Sequence, residues 1–384
     1  MQRLLVSLAI FFTLATTAAA QIGKTVSVAA GTDEDKALTE IYAAPDGPAK
    51  IALLDKFMAD FGKGDLELLG DQLLEQSYLA QKNYAKVYEY GDKALKLDPD
   101  NFSTVVNMMH AAEEQGDAPK MFTLGEKAAA IIVRYKAAPV PEGTAAGQWS
   151  ATKEQNLKDA QPDIEYAERT LFNAAYQTKD AIARATLFDR YAAAFPDSPY
   201  TLMAREQVAF AYQQAQSTAK MIDAAQKVLA ADPNDISMLV MLADYWSDND
   251  QQLDKAAANA HKALDLLAKA QKPDNVTDEQ WQRQVSIQKG LAYTSLGQVY
   301  VNKTQNQQAV DAFKQASPLL KSDNFSYARN LYRLGATLAK MQRMPEARVA
   351  LTEAVSLNTP YKARAQETLD KIGGSTKKPA RKSS

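Results

Sequence analysis

Apolar and small residues recur along this chain at intervals that fit helices arranged in pairs. The clearest stretch reads Leu296-Gly297-Gln298-Val299-Tyr300, followed by Ala309, Phe313 and Ala316. Its skeleton returns as Leu334-Gly335, Ala347, Leu351 and Ala354. A Leu-Gly pair followed at fixed offsets by large and small residues marks a helix–turn–helix repeat of about 34 residues. Small residues sit where two helices cross closely, and large ones fill the groove between them.

Looser copies extend the pattern. Residues 68–99 carry Leu74, Tyr78, Tyr84, Ala94 and Leu95, and Pro99 stands where a second helix must stop. Residues 102–135 carry Met108, Ala112, Gly116 and Ala128, and residues 202–233 carry Ala209, Tyr212, Leu229 and Pro233. Residues 236–270 carry Leu242, Ala243, Trp246, Ala256 and Ala263. Residues 290–321 and 328–360 hold the two best copies, and Tyr361 to Ile372 reads as a single helix covering the last apolar face.

Other segments echo one another. The run from Ala49 to Phe61 aligns with the run from Ala183 to Phe195, both as second helices. Asp100-Asn-Phe-Ser103 returns as Asp323-Asn-Phe-Ser326, where an Asp or Asn can cap a helix start. Pro141 precedes Trp149, and Pro273 precedes Trp281, by the same spacing, which suggests duplication within the array.

The pattern breaks over 137–161, where Pro139, Pro141, Gly143 and Gly147 predict a loop leading into a helix. The expected organisation is a leader over 1–20, a short segment over 21–32, repeats over 33–136, the insertion at 137–161, repeats with a capping helix over 162–372, and a tail over 373–384. The insertion either separates two parts or interrupts one continuous array.

Composition agrees with an all-α fold. Of the 384 residues 46% are hydrophobic, enough for a sizeable core, and good helix formers dominate. No long run alternates in the manner of a strand. Met1 to Ala20 stands apart: Arg3, an apolar run from Leu4 to Leu14, then Ala18-Ala19-Ala20 resemble a secretory signal peptide cleaved after Ala20, and the run is short for a membrane span. A periplasmic or secreted location follows as an expectation, with no span left after cleavage; retention of the leader as an anchor is the alternative.

The chain has no cysteine, which excludes disulfides, thiol catalysis and thiolate metal sites. Net charge is −2, and Lys377, Lys378, Arg381 and Lys382 of the tail leave the body more acidic still. Such a body does not attract nucleic acid by charge. The tail either touches an anionic surface or only keeps the end solvated.

The residues quoted for the repeats resemble those of the tetratricopeptide repeat family over most of 33–372, most specifically at 290–321 and 328–360. The repeat at Leu296 departs from the family in lacking a Trp three positions earlier, and the repeat at 102–135 lacks the first-helix aromatic. Phe195-Pro-Asp-Ser-Pro-Tyr200 is similar to repeats of bacterial envelope-assembly proteins. The resemblance implies a right-handed superhelical solenoid of antiparallel helix pairs whose first helices line a groove for an extended peptide or a partner helix.

Within that register Arg329 and Arg333 lie one turn apart on the first helix of the last repeat, with Lys340 further along. Thr294, Gln298 and Asn302 occupy the corresponding helix of the repeat before. The resemblance implies an anion-accepting end of the groove here, since guanidinium grips carboxylate bidentately; a solvated basic face is the plainer reading. Asp248, Asp250 and Asp254 are either clustered oxygens for a hard cation or a polar turn capping a helix. Tyr78, Tyr212, Trp246 and Tyr300 recur at one repeat position and read as packing residues.

His110 and His261 are the chain's two histidines, and the sequence holds no phosphate loop or nucleophile elbow. The expected function is therefore a non-catalytic scaffold or adaptor that holds a protein or peptide partner without metal or cofactor. The alternative is a structural component of an envelope or outer-membrane assembly complex.

Overall fold

Seventeen α-helices make up the regular structure of residues 22–373 in a computed structural model of the chain, with no strand among these described residues. The expected leader over 1–20 and the expected tail beyond Gly373 lie outside the described residues. Two compact units divide at Ala211/Tyr212. The first holds α1 (Asp33–Ala43), α2 (Pro48–Phe61), α3 (Asp65–Ala80), α4 (Tyr84–Leu97), α5 (Phe102–Glu114), α6 (Ala118–Ala137), α7 (Ala146–Gln177) and α8 (Ala181–Ala194). Helix α9 (Thr201–Gln214) runs through the division. The second unit holds α10 (Thr218–Ala231), α11 (Ile236–Asp248), α12 (Leu253–Lys269), α13 (Asp278–Asn302), α14 (Asn306–Leu319), α15 (Asn324–Lys340), α16 (Met344–Ser356) and α17 (Tyr361–Ile372).

Within each unit, successive helices pack as antiparallel hairpins, each hairpin against the next. This is the all-α helix-pair array that the spacing predicts. Helices α2 and α8 are second helices of their pairs, and α17 closes the array with buried Ala365. Six of the hairpin turns share a device that the sequence conceals. Lys82, Gly116, Gln216, Asp250, Thr304 and Gln342 each take a left-handed backbone, with φ between 53° and 68°. Only one of the six is glycine, so the others absorb a steric cost to reverse the chain in few residues. The first helices α1, α5, α11, α13 and α15 then start on side-chain caps, whereas α3 and α7 have no side-chain cap bond. Asn101 accepts from the Thr104 amide at 3.1 Å, whereas Asp323 caps α15 through the Phe325 amide at 3.1 Å. The two matching tetrapeptides thus cap one residue out of step.

The expected insertion at 137–161 is mostly helix. Irregular backbone occupies only 138–145, and α7 continues through Pro162. Proline there removes one helical hydrogen bond, but side chains clamp the N-terminal half of α7 to the end of α6. The Trp149 ring lies edge-on to Tyr135 at 5.9 Å, and Asn156 donates to the Tyr135 hydroxyl at 2.8 Å. Trp281 opens the other long first helix, α13, so the repeated Pro–Trp spacing marks two elongated helices. The segment before α1 is also ordered by packing: Ile22 is 3% exposed, and its carbonyl accepts from the Phe102 amide at 3.1 Å.

Gly297 shows why the Leu-Gly pair recurs. A Cβ placed there would lie 2.4 Å from the ring of Phe313, which is fully buried. Gly297→Ala gains helix propensity but forces that ring out of its groove. It is expected to destabilise the second unit by about 1–3 kcal/mol, read as a lowered urea midpoint with the helical circular dichroism retained.

Candidate functional site

Among the described residues, the most developed polar constellation lies in the second unit on the first helices α11, α13 and α15. Asp244 and Asp248 stand one turn apart on α11, and Arg329 and Arg333 one turn apart on α15, so both pairs share a helix face. Ser295 on the intervening α13 is fully buried and small, which lets the side chains meet across it. Arg329 grips Asp244 with both terminal nitrogens, Nη1 to Oδ2 at 2.8 Å and Nη2 to Oδ1 at 2.9 Å. Arg333 Nη2 donates to Asp248 Oδ1 at 2.6 Å, and Arg329 Nη1 lies 3.7 Å from Asp248 Oδ2.

The Arg329–Asp244 end of this lattice is buried, whereas the Arg333–Asp248 bond lies at the surface. Arg329 is only 7% exposed. Burial opposes its charge, but the attraction and hydrogen bonds of Asp244 outweigh that and hold the guanidinium protonated above its ordinary range. Burial raises the carboxyl of Asp248 against the pull of Arg333. The two cations expected to accept a partner's carboxylate are thus already engaged by carboxylates of their own chain, leaving Arg329 Nε and Arg333 Nη1 as buried donors without a partner.

Three further residues expected at this end are placed beside the lattice. Thr294 is fully buried, its hydroxyl 2.9 Å from the Gly290 carbonyl and 3.1 Å from Asn330 Oδ1. Gln298 donates to Asn302 Oδ1 at 2.9 Å, and Asn302 donates to the Ser247 carbonyl at 2.7 Å, tying α13 to the last turn of α11. Lys340 stands exposed in the last turn of α15, outside this network. The acidic partners Asp244 and Asp248 were missed as a pair. Asp248 reads as part of a polar turn, and only its i,i+4 spacing from Asp244 hints at a shared face.

The three clustered aspartates go separate ways: Asp248 to Arg333, Asp254 to Lys303 at 2.6 Å, and Asp250 into the left-handed turn. The helix start they were expected to cap has Gln252 at its N-cap, with no side-chain cap bond. Among the described residues no group of three or more acids or histidines could hold a metal ion. Trp246, 3% exposed, and Tyr78, stacked on Tyr90 at 5.5 Å, pack as expected, whereas Tyr212 lines an open recess. His110 lies flat on Tyr166 with ring centroids 3.9 Å apart, and burial lowers its imidazole.

Next to the ion-pair lattice lies a polar recess of about 420 Å³. Tyr212, Gln213 and Gln216 at the end of α9 form one wall, and Tyr245 and Asn249 form the other with Asp244 and Asp248. Its volume falls in the range that ligand pockets occupy. Among the described residues no helix is long and apolar enough to cross a membrane.

No protein-family model matches the sequence, and no curated protein sequence matches it. Among solved structures the chain is similar to the APC/C hetero-tetramer Cut9–Hcn1, with a TM-score of 0.39 and 14% identity over 89% of this chain; it covers 64% of that one. It is also similar to TTC0263, a thermophilic TPR protein of Thermus thermophilus, with a TM-score of 0.32 and 15% identity over 53% of this chain and 98% of that one. A third is the TPR domain of P58(IPK), with a TM-score of 0.30 and 11% identity over 90% of this chain and all of that one. Likenesses this distant carry no argument about partner or chemistry.

Proposed function

We propose that this protein is a non-catalytic scaffold of the cell envelope that holds a peptide or a helix of a protein partner against the first helices of its second unit. One observation carries the reading. Three consecutive first helices are cross-braced by a partly buried Asp–Arg lattice beside a polar recess. A surface braced in this way loses little conformational entropy when a partner docks. Arg329, Arg333, Thr294, Gln298 and Asn302 serve as its struts, and Tyr245, Gln213 and Asn249 supply contacts. Lys340, at the open end of α15, is left to meet a partner's carboxylate. The envelope setting rests on the leader-like sequence of 1–20.

The test is capture of the full-length protein, cross-linked in its native compartment, followed by challenge with peptides from the recovered partner. A partner displaced by one of its own peptides supports an adaptor. A stoichiometric partner that resists displacement supports a fixed component of an envelope assembly. Turnover of a small molecule that survives exhaustive purification would overturn both.

A further inference from the structure

The pairs α7–α8 and α13–α14 are built on one plan, and one difference between them leaves a cavity. Counting back from the helix ends, Glu165 stands where Gly290 stands, Phe188 where Phe313 stands, and Ala194-Phe195 where Leu319-Leu320 stand. In α13–α14 the corner is closed. Leu320 is fully buried, and a Cβ on Gly290 would come within 2.6 Å of it. In α7–α8 a glutamate replaces the glycine and an alanine replaces Leu319. The corner stays open as a cavity of about 490 Å³ between α6, α7 and the 195–200 turn.

The floor of this cavity is apolar, formed by Phe102, Ala128, Ile132 and Ala167, all buried. The turn is held rigidly over it. The Ser198 amide donates to the Phe195 carbonyl at 3.2 Å, and the Tyr200 amide donates to Ser198 Oγ at 3.3 Å. Ser198 Oγ also donates to Glu168 Oε2 at 2.8 Å, and it lies 2.8 Å from the buried Tyr191 hydroxyl. The cavity is therefore preformed. At its mouth stand Val133, 58% exposed, and three carboxylates, Glu165, Glu168 and Asp197. Lys136 and Arg169 stand there too, yet among the described residues no ion pair joins any of the three carboxylates to a cation. Burial raises the carboxyl of Glu168, and Lys136 is near enough only to moderate that. Carboxylates outnumber cations, and the most buried of them lacks a counter-ion.

We propose that this cavity docks a partner segment that buries bulky apolar side chains on the Phe102–Ile132 floor and sets an adjacent lysine or arginine against Glu168. The proposal rests on the reading of the chain as a scaffold, but it assigns a second contact, in the first unit, whereas the first-helix recess belongs to the second.

The probes are three fluorescein-labelled synthetic peptides on a Ser/Gly background, tested against the full chain by anisotropy. One carries Phe-Leu followed by Lys, one Phe-Leu followed by Glu, and one Ser-Ser followed by Lys. The first is expected to bind at least about tenfold more tightly than either of the others. Ala194→Leu, which copies the closed corner, is expected to weaken that peptide by about tenfold or more. Glu168→Gln is expected to abolish the preference for Lys over Glu. Val133→Ser alters only an exposed side chain and is expected to weaken binding with the thermal melt unchanged, so the test survives if Ala194→Leu fails to fold. Absence of binding by all three peptides overturns the proposal, as does equal binding of the Lys and Glu peptides, or indifference to both Val133→Ser and Ala194→Leu. If the partner cross-linked at the first-helix recess is captured equally by Ala194→Leu, while the peptides fail, the cavity proposal falls and the scaffold reading stands. If the peptides bind as expected and no partner is captured, the reverse holds.

Discussion

Glu75→Gln is expected to make the first unit more stable at neutral pH, by up to about 3 kcal/mol. Glu75 lies on α3 with no exposed surface, against Gly91 and Met108. Asn107 donates to its Oε2 at 3.3 Å, and Oε1 has no partner. Burial pushes its carboxyl from the ordinary 4.5 up to about 9, with the hydrogen bonds from Asn107 and Thr104 opposing weakly. The folded unit therefore carries this group protonated at pH 7, whereas the unfolded chain carries it ionised, and folding takes up a proton. Its favourable contribution is complete below about pH 4.5, declines as pH rises toward 9, and is gone above that. Glutamine keeps the shape and is neutral at every pH. Urea unfolding between pH 5 and pH 9 should show a falling midpoint for the wild type and, above about pH 6, a nearly flat one for Glu75→Gln. Asp71, raised by burial to about 6, adds its own decline at the acid end, which Asp71→Asn should remove separately. A wild-type midpoint that does not fall across this range would refute the assignment.

Arg329→Ala is expected to destabilise the second unit by about 3 kcal/mol. The loss comes less from the pair itself than from leaving Asp244 half-buried without its cation and opening space between α13 and α15. Replacing both partners, Asp244→Asn with Arg329→Met, is expected to recover most of that loss, because no uncompensated charge remains. The double-mutant cycle reads this directly. A single substitution no worse than the double one would show that the lattice braces nothing. Because the single variant weakens the unit itself, any loss of partner binding by Arg329→Ala counts only alongside the paired variant.

The helix pairs were legible in the sequence because their packing is local. Leu296, Gly297 and Phe313 meet within one hairpin, so spacing alone reveals them. The hairpin turns were less legible, since Lys82, Gln216 and Thr304 adopt a left-handed backbone that their residue types do not announce. The N-terminal half of α7 was hidden by Pro139, Pro141 and Gly143 just before it and by its own few apolar residues; it is held by Tyr135 of the preceding helix, a tertiary cause that periodicity does not register. The candidate site was half legible. Helical spacing put Arg329 and Arg333 on one face, but their partners lie 85 residues earlier on another helix. No single sequence states which first helices stand side by side. The cavity beside Glu168 was not legible at all, since it depends on Ala194 and Glu165 standing where the later pair has Leu319 and Gly290.

Position-specific photo-cross-linking in the native compartment tests the scaffold claim most directly. A benzophenone amino acid replaces Tyr245, in the recess beside the Asp–Arg lattice, or Val349, 69% exposed on the second helix α16. The account predicts a discrete protein adduct from position 245 and none of that mass from position 349. Adducts of equal yield from both positions, or from 349 alone, would contradict it.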